Sequence, residues 1–481
     1  MLDIKRNLTT MTDFYELTMS NGYFEQGYKD KIAVFDMFFR RVPDGGGYAI
    51  MAGLQQFIDA VDNLRFTEED IAYLRGTGMF SEPFLDYLAH FELHCNIWAI
   101  EEGVPIFPQE PIGMVEGPAI EWQLLETLLL VTFNHQCLIA TKSNRIVRAA
   151  SGRPVMEFGA RRAQGYDAAY FGARAAYIGG CGSTSCVMAA RDFGIPASGT
   201  MAHSWVQMFP SEYEAFKAYA ELYPDACVLL VDTYNVLRHG VPDAIKVFDE
   251  VLKPMGKRPK GIRIDSGDIA YLSKKARRML DEAGYPDCTI TASNSLDEYL
   301  VRDLIMQGAR VDSFGIGENM ITAKSEPVFG GVYKLAAVKE EDGSYTPKMK
   351  LSESAEKVTI PGLKKVWRIY DEDGKAMADL ITLADETVET KHGITLFDPV
   401  ETWKERTYVN CTARCLSTPI YRAGERVYTS PSLADIRKFC KAQVNTLWDE
   451  VKRFENPHRY YVDLSQKLWD TRSDLLKKLS K

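Results

Sequence analysis

After Pro154 the chain repeats one pattern six times, a short apolar run ending in a small or polar residue and then a segment long enough for a helix. The runs are VMEFG, ending near Glu157, IPASGT at Thr200, VLLVD at Asp232, GIRID at Asp265, TITAS at Ser293 and FGIG at Gly317. Their ends are separated by 43, 32, 33, 28 and 24 residues, which fits a strand, a crossover helix and the return to the next strand. Crossovers of this kind are right-handed and build parallel sheet, and five consecutive units predict a closed barrel rather than an open sheet. In such a fold the site gathers at the carboxyl ends of the strands, so Glu157, His203, Asp232, Asp265 and Asp268 are expected to converge on one mouth.

The stretch IPASGTMAHSW, 195–205, is the richest of these ends. IPA suits a buried strand, Gly199 permits a tight exit, and Thr200 and Ser204 place hydroxyls beside the imidazole of His203. An acidic neighbour fixes an imidazole's tautomer and favours its charged form, while carboxylates such as Asp265 and Asp268 suit ribose hydroxyls or Mg²⁺. Gly315 and Gly317 leave backbone amides open to a phosphate. The alternative stays open at each position: a turn histidine satisfies a local hydrogen bond, and a strand-end aspartate caps the next helix.

Before the repeat, TDFYELTMSNGY (12–23) has a capping signal at Thr12 or Asp13 and predicts a short helix. VFDMFFRR (34–41) predicts a strand whose Arg40 and Arg41 are solvated charges or a guanidinium clamp on a phosphate. Residues 53–92 have helical periodicity, 93–117 give short runs of antiparallel sheet, and 119–150 form a long amphipathic stretch. Its Lys142, Arg145 and Arg148 share one helical face and are expected in solvent. Beyond 330, β-type runs predict a return to the N-terminal sheet, with Lys364, Lys365 and Arg368 in a basic loop facing polyphosphate or water. From 431 the periodicity is helical and suggests a packing tail. The expected division is therefore 1–135, rejoined by 331–425, then 136–330 as the barrel and 426–481 as a helical segment.

At 481 residues the chain is too long for one core, and two or three domains are expected. With 57 basic against 66 acidic residues it carries no electrostatic footprint for nucleic acid. MLDIKRNLTT lacks the apolar core of a secretory signal, and LLETLLLVTF (124–133) is interrupted by Glu126 and short of a span. Nine cysteines without disulfide spacing suit a reducing compartment, so a cytoplasmic protein without a membrane partner is expected. Neither the Cys411/Cys415 pair nor HFELH at 90–94 has the spacing of a metal site.

TDFY (12–15), EFGARRAQG (157–165), SGTMAHS (198–204), LVDTYN (230–235), IRIDSGD (262–268) and GIGENMIT (315–322) together closely resemble the nicotinate phosphoribosyltransferase family. The resemblance spans nearly the whole chain. It implies an α/β fold in which an irregular (β/α) barrel lies beside an α+β sandwich domain. It implies formation of nicotinate mononucleotide and pyrophosphate from nicotinate and phosphoribosyl pyrophosphate, coupled to ATP hydrolysis, in NAD salvage. By the same motifs His203 is the phosphorylated histidine, Asp232 its carboxylate partner, and Phe158 and Arg263 bracket the pyridine ring. Tyr15 enters from a second subunit of a homodimer with shared sites, and Arg40 and Arg41 are further candidates for donation. Arg161, Asp265, Gly315 and Gly317 match positions that hold the donor, with Asp268 near the ribose and Thr200 where a hydroxyl meets nicotinate. Mg²⁺ is expected through phosphates, with no protein ligand assigned. Glu318 stands where some relatives have a donor-binding threonine, leaving Thr322 or Glu318 itself as substitutes.

Three rivals remain at this stage. A nicotinamide-using relative carries an acid in the stretch matching 182–187, where GSTSCV offers only hydroxyls that suit a carboxylate. Quinolinate phosphoribosyltransferase works without ATP. A catalytically silent phosphate-binding barrel would retain the fold without turnover.

Overall fold

The computed structural model describes residues 7–352 and 358–480. The chain divides into two compact units, Met1–Leu138 with Val328–Lys481, and Ile139–Pro327.

The second unit is built on a six-stranded sheet in which every pairing is parallel. Its spatial order is Ser183–Thr184, Val155–Glu157, Ser313–Ile316, Thr289–Asn294, Gly261–Ile264 and Val228–Leu230. One face of the sheet is packed with apolar side chains: Leu229, Ile262, Ile264, Ile290, Ala292, Phe314 and Ile316 are wholly buried. Several of the helices between these strands begin on a side-chain cap, whereas Tyr166–Ile178, Val187–Phe193 and Glu318–Ile321 do not. Asp268 accepts the Tyr271 N–H, Asp297 that of Leu300, and Ser211 that of Glu214.

The expected barrel is not closed. No ladder joins Val228–Leu230 to the other edge among the described residues, and IPASGT is not a strand. Pro196 has no N–H to donate, so the run makes one parallel bridge, Thr184 to Ala197, before Gly199 leaves the sheet. Only Ile195 of IPA is buried. The sheet is an open, mixed-length parallel array within an α/β fold.

The stripe on the long helix Glu126–Ala149 also departs from expectation. Lys142 and Arg145 are buried, not solvated, and converge on the wholly buried Glu298 at 2.8 Å each. Lys142 also donates to Ser325, and Arg145 to the Tyr299 hydroxyl. A buried charge is retained only when paired, and here two cations share one carboxylate. The apolar stretch containing this helix, Ala119–Ala149, has the length and composition of a membrane span, longer than its 124–133 segment suggests, yet 72% of its most apolar 18-residue window is buried inside the protein.

The first unit contains a seven-stranded antiparallel sheet with Ile32–Phe38 between Val332–Lys339 and Gly113–Pro118. The 331–425 segment rejoins this sheet only in part. Lys364–Tyr370 and Ala376–Leu383 instead form a separate four-stranded sheet with Thr412–Cys415 and Val462–Leu464, so the C-terminal segment contributes a strand as well as the helices Leu433–Thr446 and Gln466–Leu479. Lys364 and Arg368 are not loop residues. Lys364 pairs with Asp36 at 2.6 Å and Arg368 makes a two-pronged contact with Asp379, all four buried. The nine cysteines are free thiols.

Candidate active site

Alternation along the parallel strands decides which side chains meet. In Gly261–Ile264 the isoleucines enter the core, which turns Arg263 to the opposite face; in Thr289–Asn294, Ile290 and Ala292 do the same for Thr291 and Ser293. The register sets Arg263 beside Thr291, and Ser293 beside Gly315. Arg263, Ser293 and Gly315 therefore lie on one face toward the carboxyl ends.

Arg263 is the centre of this face. Its Nε donates to Ser293 at 2.7 Å, its Nη1 to the Thr200 hydroxyl at 3.1 Å and its Nη2 to Asp265 at 2.7 Å. The guanidinium also lies 5.6 Å from the ring centroid of Phe158, a cation–π separation. The Phe158 ring lies against Gly315: a Cβ on that glycine would approach the ring to 2.6 Å. Gly317 faces the Phe158 carbonyl, which a Cβ would approach to 2.9 Å.

His203 opens the short helix His203–Gln207 and is partly exposed. Its Nδ1 is 3.1 Å from the Thr233 hydroxyl, and its Nε2 is 4.0 Å from Asp232 and 3.9 Å from Asp265. These last distances are ion-pair contacts, longer than a hydrogen bond. Asp232 is buried, and its Oδ2 accepts the Asp265 N–H at 3.1 Å and the Ser266 hydroxyl at 2.5 Å. Its Oδ1 is buried without a hydrogen-bond partner. Burial opposes the charge of Asp265, but Ser293, Arg263 and His203 outweigh it, so that carboxyl lies below its usual range.

The other expected residues lie outside this cluster. Glu157 is buried and turned away from the mouth, accepting the Gly159 N–H and the Thr184 hydroxyl, and burial raises its carboxyl above the usual range. It shapes the backbone that carries Phe158. Asp268 is a helix cap, its carboxylate already committed to Tyr271. Arg161 is exposed on the following turn. Glu318 pairs with Lys324 at 2.6 Å and lies 3.8 Å from Arg162; Lys324 first, then Arg162, lowers its carboxyl. The Thr322 hydroxyl is spent on the Glu318 carbonyl. Tyr15 and Arg40 belong to the other unit, where Tyr15 is 45% exposed on the helix Phe14–Glu25. Thr233 and Ser266 were not anticipated. Each directly follows a strand-end aspartate, and that adjacency is the only sequence signal they carry.

The geometry combines an aromatic face, a guanidinium, a hydroxyl and an imidazole beside two carboxylates. This set suits a flat ring bearing an anionic substituent next to a group-transfer histidine.

Comparison with known proteins gives the same direction. Residues 10–134 match the nicotinate phosphoribosyltransferase (NAPRTase) N-terminal domain, 154–358 the nicotinate phosphoribosyltransferase (NAPRTase) family, and 363–472 the nicotinate phosphoribosyltransferase C-terminal domain. The chain is 44% identical to the nicotinate phosphoribosyltransferase of Bacillus subtilis over 97% of its length and 94% of the relative's. It is 39% identical to one from Mycobacterium tuberculosis, covering 95% of this chain and 91% of that one. The crystal structure of human nicotinic acid phosphoribosyltransferase superposes with a TM-score of 0.86 at 29% identity, over 96% of this chain and 99% of that one. With three successive domains matched and nearly full-length relatives above 30% identity, this chain belongs to the nicotinate phosphoribosyltransferase family.

Proposed function

We propose that the protein transfers the phosphoribosyl group of phosphoribosyl pyrophosphate to nicotinate, giving nicotinate mononucleotide and pyrophosphate, with ATP hydrolysed through a phosphohistidine at His203. The observation that carries this reading is the single cluster formed by Phe158, Arg263, Thr200, Asp265, Asp232 and His203.

Phe158 and Arg263 would hold the pyridine ring, with the guanidinium and Thr200 hydroxyl answering its carboxylate. The ring nitrogen attacks the anomeric carbon while the bond to the pyrophosphate oxygen breaks. As that bond breaks, positive oxocarbenium charge develops on the ribose and negative charge on the departing pyrophosphate, so the protein's task is to place opposite charge beside each. The pyridine nitrogen already has a lone pair and needs no general base. Asp265 is the carboxylate nearest the developing positive charge, and Arg161 and the amides near Gly315 and Gly317 are assigned to donor phosphate. Asp232 and Thr233 orient His203 for phosphoryl transfer from ATP; the phosphoryl group then adds negative charge beside the ring pocket until hydrolysis removes it.

Magnesium would travel with the donor and ATP phosphates. The nicotinate reading is preferred to nicotinamide because the stretch 182–187 supplies hydroxyls, of which Ser183 and Ser185 are not spent on Glu157, and no acid. The helix Phe14–Glu25 and its approach expose Met11, Phe14, Tyr15 and Met19, an apolar face that suits a second copy of the chain and donation of Tyr15 and Arg40 to a shared site. Free thiols throughout suit a cytoplasmic setting.

Incubation with γ-labelled ATP, with and without nicotinate or nicotinamide, tests the reading. Acid-labile label on wild-type protein, absent from His203→Ala, and pyrophosphate release dependent on nicotinate are expected. The same variant should retain slow, ATP-independent ribosyl transfer. Label that survives in His203→Ala removes the histidine from the reaction, and preferential turnover of nicotinamide replaces the substrate.

A further inference from the structure

We propose that Ser293 is a positioning residue that locks the ring clamp, Phe158 and Arg263, to the carboxylates facing His203, so that one hydroxyl sets both halves of the pocket. The inference rests on the functional reading above for its kinetic meaning, but its structural content does not.

Ser293 is 2% exposed near the end of Thr289–Asn294. Its hydroxyl accepts from Arg263 Nε at 2.7 Å and donates to Asp265 Oδ1. The direction is forced. An arginine only donates and an ionised carboxylate only accepts, so a hydroxyl placed between them must do both. Oδ1 of Asp265 also takes Arg263 Nη2 at 2.7 Å, which leaves Oδ2 turned to His203 at 3.9 Å. Ser293 thereby closes a triangle with Arg263 that holds one oxygen of Asp265 and presents the other to the histidine. It also fixes the rotation of the guanidinium about Nε, and with it the approach of Nη1 to Thr200 and of the plane to Phe158.

Size matters as well as polarity. Ser293 is the parallel partner of Gly315, whose missing side-chain space is occupied by the Phe158 ring. A small hydroxyl fits here, whereas an amide or carboxylate would displace the ring.

Selective ¹⁵N-arginine labelling gives a readout that needs no substrate. In the wild-type protein the Arg263 Nε–H resonance should be resolved and slow to exchange with water; in Ser293→Ala it should exchange at least about tenfold faster. In the same variant the nicotinate KM should rise about tenfold and the rate of His203 labelling by ATP should fall about tenfold together. Ser293→Thr, which keeps the hydroxyl, should restore both toward wild type; Ser293→Cys, nearly isosteric with a weak donor, should lie between Ala and wild type and serves if Ala fails to fold. The proposal is overturned if the Arg263 resonance is unchanged, if only one kinetic quantity moves, or if the cysteine variant behaves as wild type in both. Absence of nicotinate turnover by the wild-type protein would instead reject the functional reading, leaving the resonance to judge Ser293.

Discussion

His203 and Asp232 face one another across 4.0 Å, and the Asp232 oxygen on that side is buried with no hydrogen-bond donor of its own. The other oxygen is fixed by the Asp265 N–H and the Ser266 hydroxyl, so the carboxylate cannot turn to relieve the first. An N–H on Nε2 of the imidazole is the natural donor for the unsatisfied oxygen.

Asp232→Asn should therefore slow phosphorylation of His203 by roughly two to four orders of magnitude, as for other histidines deprived of an orienting carboxylate. The amide can keep its oxygen toward Ser266 and present its NH₂ to the imidazole, replacing an acceptor by a donor. Single-turnover labelling with γ-labelled ATP measures the effect. A rate equal to wild type would separate the two residues.

Gly315→Ala would place a Cβ 2.6 Å from two carbons of the Phe158 ring, which must then leave its position against the strand. The expected result is an increase in nicotinate KM of about tenfold or more, larger than the loss in kcat, because the ring clamp and not the bond-breaking step is disturbed. Steady-state kinetics with saturating donor provides the check.

Glu212 predicts a pH effect on stability. It is buried at the start of the helix Glu212–Leu222, and burial first, then the charges of Asp243 and Asp232, push its carboxyl up to about 7. A raised folded pKa means that the native state holds the proton more tightly than the unfolded chain. The associated stability is full below the unfolded value of 4.5 and is lost as pH rises toward 7. Glu212→Gln should remove that slope and stabilise the protein above pH 7 by about 1–3 kcal/mol. Thermal unfolding of both proteins at pH 5 and pH 8 should show the difference in Tm growing with pH.

Subunit mixing addresses Tyr15. Tyr15→Ala and His203→Ala chains, each nearly inactive, should recover activity on co-assembly, since one of the two mixed sites would contain both wild-type residues. Heterodimers confirmed by mass yet no more active than the parents combined would place Tyr15 outside a shared site.

The site residues on the strands were legible because each terminates an apolar run, and the spacing of those runs implies parallel strands whose ends align. Arg263 stands out in GIRID as the one polar residue between two isoleucines. Partnership at long range was not legible: Lys142, Arg145, Lys364 and Arg368 have the spacing of exposed charges, and only the fold brings Glu298, Asp36 and Asp379 to them. Asp268 resolves as a helix cap for the same reason that it seemed a ligand, since a strand-end acid suits either task. The barrel expectation failed on IPASGT, where composition implied a strand but Pro196 and the exit at Gly199 limit pairing to one bridge.

That interrupted pairing has a mechanical result. From Gly199 to Gln207 the backbone belongs to no strand, and the short helix that His203 opens is anchored by the buried Met201 and Val206 instead of by rungs of the sheet. The histidine and the ring clamp are thus mounted differently: His203 hangs on side-chain packing, while Arg263 and Gly315 are held in the hydrogen-bonded ladder of intact strands. A substitution that loosens the packing under Val206 should therefore disturb the imidazole and leave the clamp in register.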